Sequence, residues 1–352
     1  MAVSRPRSRL EAVRERIERS CAAGGDARTL RVRLLAEIRR VVPFDAYAWV
    51  MTDPETTVGA APLADVPALP ELPALIRLRY STGLNRWTTL AEDPVALLAA
   101  ATGGDLRRSR LWREVLSRYD VSDAVSVVFR DRFGCWAFLE LWRTRGATFG
   151  PADAAFLRDV VVPATEALRR SQARTFAEPV TARLPGPLVL LLSPDLEVIR
   201  QTPGTSDPLR VLQPRDDGGP TVPAAAYNVA AQLLAVEAGV DAHEPRARVH
   251  LAGGLWLTLR AARLGPAGDG GDIAVTIEQC SPADRLALFA RCCGLSDREA
   301  EVLGHLAAGA DTRVVAEQMF VSAHTVQDHL KNVFEKSGTR SRRALLARAL
   351  GS

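Results

Sequence analysis

The stretch HTVQDHLKNVFEKSG, from His324 to Gly338, holds the chain's only two lysines, Lys331 and Lys336, among 45 basic residues. Wound as a helix at about 100° per residue, it gathers Val326, Leu330, Val333 and Phe334 into one apolar stripe. The opposite face carries His324, Gln327, Asp328, Lys331, Asn332 and Glu335, with Thr325 and His329 at its flanks. These are side chains that can read base edges in a major groove. Gln and Asn suit adenine, Lys suits guanine, and Asp can accept from cytosine N4. From Lys331 to the last residue, six basic residues (Lys331, Lys336, Arg340, Arg342, Arg343, Arg348) stand against one acid, Glu335, and phosphate contacts need such a patch. Asp328 is unfavourable for indiscriminate phosphate binding, so its place on that face points to selectivity.

The elements that must hold this face are punctuated in the sequence. Ser296 and Glu299 make an S-x-x-E capping box for a first helix ending at Gly309. Asp311 or Thr312 caps a short second helix, RVVAEQM, and FVS is the turn. Ser322 caps the third helix, which runs to about Lys336 and stops at SG. RRALLARAL forms a fourth. A short helix, a tight turn and a longer helix make a helix-turn-helix arrangement. Ala316 sits where the second helix approaches the third, with Val315 and Met319 as core contacts.

The rest of the chain sets the context. Its 352 residues call for two or three domains, and 47% hydrophobic with 24% charged residues fits a packed, water-soluble chain. A net charge of +4 permits a polyanionic partner without requiring one. The N-terminus is a charged helix (1–26) with Leu10, Val13 and Ile17 on one stripe, and it lacks the apolar core of a secretory signal. No apolar run is long enough to span a membrane, so no membrane partner is expected. Cys21, Cys135, Cys280, Cys292 and Cys293 show neither metal spacing nor a disulfide framework, which points to a reducing cytoplasm. No metal or cofactor motif is present: none of the five histidines clusters with cysteines, and no GK pair follows a glycine-rich stretch. AGDGGD at 267–272 reads as a β-turn between strands. Adjacent Cys292 and Cys293 read as small buried hydrophobes rather than an oxidant sensor.

Two α+β units precede the helical end. In 27–172, a helix (TLRVRLLAEIRRVV) leads to a strand (PFDAYAWVMTD), then helices, a β-hairpin turning at RDRFG, and a helix that Pro151 starts. Trp49, Trp87, Trp112, Trp136 and Trp142 all lie here; they read as core fillers in preference to the lining of an apolar ligand cavity. ARTFAEPVTARLPGP is linker-like, taken as 173–186. In 187–280, two strands around SPDL, a loop (PRDDGGPTVP), a helix (AAAYNVAAQLLAVEAG) and three strands make a five-stranded sheet.

The last 58 residues resemble the LuxR-type helix-turn-helix domain, through LSDREAEVL, Gly309, VAEQMFVSAHTVQDHLKNVFEKSG and RSRRALL. Val315 replaces the more usual isoleucine and Ser337 a common leucine or methionine; neither change removes a DNA-facing group. The resemblance implies double-stranded DNA as partner, with Gln327, Asp328 and Lys331 at bases and Thr325 at a phosphate. Asn332 adds a base-reading group on the same face, and Lys336, Arg340 and Arg342 supply the basic patch. It also implies homodimerisation through RRALLARAL. Residues 27–172 resemble a GAF domain, and 187–280 resemble a PAS-like fold by strand order. The implied architecture is two α+β sensor-like domains followed by an all-α four-helix domain at 281–352. Such upstream domains bind a small molecule or mediate dimerisation, and no residue-level ligand motif carries over. The expected protein is a non-catalytic, sequence-specific DNA-binding transcriptional regulator. The alternative is an interaction protein whose helical end contacts RNA polymerase or another regulator. An enzymatic role lacks a base-plus-nucleophile pair at useful spacing.

Overall fold

The computed structural model describes residues 9–90, 92–181, 183–184, 186–203, 224–251, 253–265 and 270–351. The expected loop PRDDGGPTVP and part of the expected turn AGDGGD lie outside the described residues. Among them, no helix is long and apolar enough to cross a membrane.

The first unit opens with α1 (Arg9–Ala23) and α2 (Ala27–Arg39). Asp26 starts α2 by accepting from the Thr29 amide at 2.9 Å. Its sheet comprises β1 (Ala46–Thr52), β2 (Gly59–Asp65), β3 (Val95–Leu97), β4 (Val121–Asp131) and β5 (Gly134–Thr144), in the order β2-β1-β5-β4-β3. Between β2 and β4 lie α3 (Leu72–Ser81), α4 (Leu98–Ala101) and α5 (Arg110–Glu114), and α6 (Pro151–Thr175) follows β5. Pro151 occupies the first turn of α6, and Asp153 accepts from the Gly150 amide at 2.9 Å.

The expected hairpin is present, with Arg132 and Phe133 between the two strands. Gly134 has φ +150°, and a Cβ there would lie 2.3 Å from the Pro54 carbonyl oxygen, so only glycine fits. β2 and β3 went unpredicted. β2 contains Pro62 and pairs only with β1; an edge strand tolerates a proline that a central one would not. α1, expected as a separate N-terminal helix, buries Val13, Ile17 and Cys21 in the core that α2 and α6 share. Trp49, Trp87, Trp136 and Trp142 are fully buried, as core fillers are.

The second unit has β6 (Leu188–Leu192), β7 (Val198–Gln201), α7 (Ala224–Glu237), β8 (Arg246–His250), β9 (Trp256–Arg263) and β10 (Ile273–Gln279). Its strand order, β7-β6-β10-β9-β8, is the same permutation as in the first sheet. α7 is alanine-rich, and every residue from Ala224 to Gln232 is buried. A helix without a polar face must be covered all round. α7 covers the inner face of its own sheet and packs on α3 and β2 of the first unit.

Charged pins reinforce that seam. Arg248 on β8 grips Asp53 with Nε and a terminal nitrogen, each at 2.7 Å, and its backbone amide adds a third bond at 2.9 Å. Both side chains are 0% exposed. Burial opposes the charge on Asp53, but the Arg248 guanidinium outweighs it and holds the carboxyl below its ordinary range. The same Arg248 donates to the Asp284 carbonyl at 3.2 Å, reaching the C-terminal helices. Arg86 and Asp241 form a second buried pair across the seam.

The chain ends in α8 (Pro282–Cys292), α9 (Asp297–Ala307), α10 (Thr312–Met319), α11 (Ala323–Ser337) and α12 (Arg342–Leu350). Phe289 of α8 meets Phe176, which stacks on Trp256 at 5.1 Å. The segment expected to be a linker begins inside α6, at residues 173–175, and its fourth residue, Phe176, is buried. One apolar cluster therefore runs from α1 and α6 through α8 into α9–α12. Cys292 and Cys293 are buried within it, and burial pushes the Cys293 thiol up to about 12.

Candidate nucleic-acid interface

Local capping builds this region. Ser296 and Glu299 cap α9 reciprocally: Ser296 Oγ accepts from the Glu299 amide at 3.4 Å, and the Ser296 amide donates to Glu299 Oε2 at 2.7 Å. Asp311, rather than Thr312, caps α10 by accepting from the Val314 amide at 2.9 Å. α10 ends on Phe320 in the left-handed region (φ +56°), with its ring 93% exposed. Ser322 caps α11 through the Thr325 amide at 3.0 Å, and Gly338 (φ +63°) closes it.

Val315, Ala316 and Met319 of α10 are buried, as are Val326, Leu330 and Val333 of α11, while Phe334 is half-buried. This burial fixes the rotation of α11 about its axis. His324, Gln327, Asp328, Lys331, Asn332 and Glu335 are exposed, and Thr325 and His329 are intermediate. Among the described residues, α11 packs chiefly on α9 and α10, and its polar face is exposed. His324 lies 3.7 Å from Asp328, one turn apart.

The basic residues divide. Lys331 and Arg340 are exposed. Lys336, expected to reach DNA, has an internal partner: its Nζ donates to Glu299 Oε2 at 2.6 Å, with the Glu299 side chain 5% exposed. This bond ties the end of α11 to the capping box of α9. Burial raises the Glu299 carboxyl, but the Lys336 bond and the Ser296 amide outweigh it and leave it below its ordinary range. Arg342 donates to Thr312 Oγ1, which also accepts from Gln327 Nε2 at 3.3 Å. Thr312 therefore joins a base-facing candidate to a basic one. Sequence reasoning weighed Thr312 only as a cap, because no local spacing relates it to residues 15 and 30 positions away.

The last helix buries Leu345 and Ala349 and packs against α8. Arg285 of α8 donates to the Arg348 carbonyl at 3.3 Å. Arg348 in turn donates to the Ser337 carbonyl at 3.0 Å, closing the end of α11.

A capped short helix, a left-handed turn and a longer helix with a free polar face is a geometry that lies along a major groove. Residues 294–349 match the family model GerE, the bacterial regulatory proteins of the luxR family. A 56-residue stretch is 38% identical to the probable transcriptional regulatory protein NarL of Mycobacterium tuberculosis, in the CDC 1551/Oshkosh and ATCC 25618/H37Rv strains alike. The stretch covers 16% of this chain and 26% of each relative, so the chain spans about a quarter of the length of the curated relatives it matches. Residues 294–349 are thus a luxR-family helix-turn-helix unit, and α8 and the two sheets lie outside the match.

Proposed function

We propose that this protein is a sequence-specific, DNA-binding transcriptional regulator. The observation that carries the reading is the orientation of α11: Val326, Leu330 and Val333 are buried while Gln327, Asp328, Lys331 and Asn332 stand exposed, within a luxR-family segment. Gln327, Asp328, Lys331 and Asn332 are the base-reading candidates. Thr325, Arg340 and Arg342 serve the phosphates. Lys336 contributes field more than contact, because its ammonium is engaged with Glu299.

We read the first sheet unit as GAF-like (27–172) and the second as PAS-like (187–280), joined by 173–186 and followed by the DNA-binding helices at 281–352. Both serve to sense a small molecule or to bring two copies together, and the homodimer forms through the surface of α12 that α8 leaves uncovered. Support comes from the shared strand order of the two sheets. The luxR-family match supports reading the protein as non-catalytic.

The test is selection of bound genomic fragments by the purified full chain, followed by affinity measurements on the recovered site. Lys331→Ala is expected to cost about 1–3 kcal/mol on that site and to relax preference at one base pair. Asp328→Ala is expected to tighten binding to random DNA and narrow the gap to the specific site. Affinity should fall steeply with salt. Unchanged specific binding after Lys331 and Gln327 both become alanine would sink the docking model, and salt-insensitive behaviour would favour a protein partner such as RNA polymerase.

A further inference from the structure

A cavity of about 70 Å³ lies where the first sheet, α3 and α7 meet. Ala48 of β1, Ala64 of β2, Ile76 of α3 and Phe138 of β5 line it, and Asn228 of α7 supplies a wall from the second unit. Trp87 stacks on Phe138 with centroids 4.2 Å apart, giving the cavity a flat aromatic side. Trp87 is the one tryptophan of the five in this unit that lines it; the other four are placed elsewhere.

Besides Asn228 and Tyr80, an ion pair interrupts the apolar wall. Arg79 donates to Ser126 Oγ at 2.6 Å and lies 3.2 Å from Glu140 Oε1. Arg79 is 9% exposed and its guanidinium sits over the Trp87 ring at 5.6 Å. Its Nε is buried and has no hydrogen-bond partner among the described residues. A buried donor without an acceptor carries the full cost of its desolvation, so an acceptor arriving from the cavity recovers it. Glu140 already balances the arginine charge. A second anion would have to shed its hydration for little Coulombic return, whereas a neutral acceptor would not.

We propose that this cavity is a binding site for a small, uncharged, apolar molecule bearing one carbonyl oxygen, which accepts from Arg79 Nε while its hydrocarbon lies against Trp87 and Phe138. An apolar cavity of roughly 150 Å³ admits the six carbons of benzene, so a site about half that size takes on the order of three or four non-hydrogen atoms. Because Asn228 closes it, the occupant touches both units and bears on the packing of α7 against α3. The link from this site to transcription rests on the regulator reading above; binding at the site does not.

The test uses the full chain and ligand-observed NMR with acetone, 2-methylpropane and acetate as probes. Acetone should bind saturably, and 2-methylpropane about tenfold more weakly or worse, the loss expected for one hydrogen bond to a charged donor. Ala48→Leu fills the cavity and should abolish binding; Ala64→Leu serves the same end if that variant does not fold. Arg79→Lys keeps a charge opposite Glu140 and removes the Nε–H, so acetone should drop to the level of 2-methylpropane. Absence of acetone binding, or binding untouched by both filling variants, overturns the site. Acetate binding as tightly as acetone overturns the neutral class. Specific DNA binding is scored on the same preparations without probe, so failure of the pocket and failure of the regulator reading give separate results.

Discussion

Along β5 of the first sheet, Phe138 faces the side shared with α7 and Leu139 the side shared with α6, and both are buried. Along β6 of the second sheet, Leu190 is buried while its neighbour Val189 is 40% exposed, and all four residues of β7 are exposed. Yet the two sheets share one strand order. Strand order therefore does not decide burial; the number of helical layers does. The first sheet lies between α1, α2 and α6 on one side and α3 with α7 on the other. Among the described residues, the second sheet is covered chiefly by α7, which it shares. The first unit is thus the body of the molecule, and the second is clamped to it through its own helix.

The seam tests that contrast with the largest expected effect. Asp53→Ala leaves the buried Arg248 charge with only the part-exposed Glu55 carboxylate, 2.8 Å away, as counter-charge and should cost at least about 3 kcal/mol in urea unfolding. The pH dependence follows in sign. The carboxyl of Asp53 titrates below its ordinary value in the folded chain, so its contribution is complete above about pH 4 and is lost as pH falls through the folded value. Asp53→Asn should flatten that acid limb of the stability curve.

Next come the two faces. Leu139→Ala should cost about 2–4 kcal/mol and Phe138→Ala a comparable amount, because neighbours on this strand are both buried. On β6, Leu190→Ala should match them, while Val189→Ser should stay within about 0.5 kcal/mol. An equal penalty at Val189 would mean that another surface covers the outer face of the second sheet. Lys336→Met should lie between, at about 1 kcal/mol, since the capping box still holds Glu299. If DNA affinity fell far more than stability did, Lys336 would be a direct phosphate ligand.

The helical end was the most legible region because its signals are local. Ser296, Ser322 and Gly338 mark helix ends within a few residues, and the stripe of Val326, Leu330 and Val333 repeats at the helical period. The second unit was legible in element order, since β6 and β10 alternate with one face wet. The first sheet was harder. Burial on both faces removes the alternation from β4 and β5, and β2 is built of small residues around Pro62. Contacts between distant residues had no local signal. Asp53 and Arg248 are 195 positions apart, and Lys336 and Glu299 are 37 apart. Trp49, Trp87, Trp136 and Trp142 were rightly read as core, whereas Trp112 is half-buried, and nothing in the sequence separated Trp87, which also walls a cavity, from Trp49.

The aromatic contact of Phe176, Trp256 and Phe289 has a further consequence. With the apolar cluster continuous from α1 to α12, the C-terminal helices are not hung from the body by a tether. A fragment starting at Gly294 would strip α8 from α12 and lay bare Leu345 and Ala349. Protease should therefore release no durable C-terminal piece, and heating should melt the body and the C-terminal helices together as one cooperative block. In such a molecule, a tilt of the first unit swings α11 with it, as a key turns with its bow.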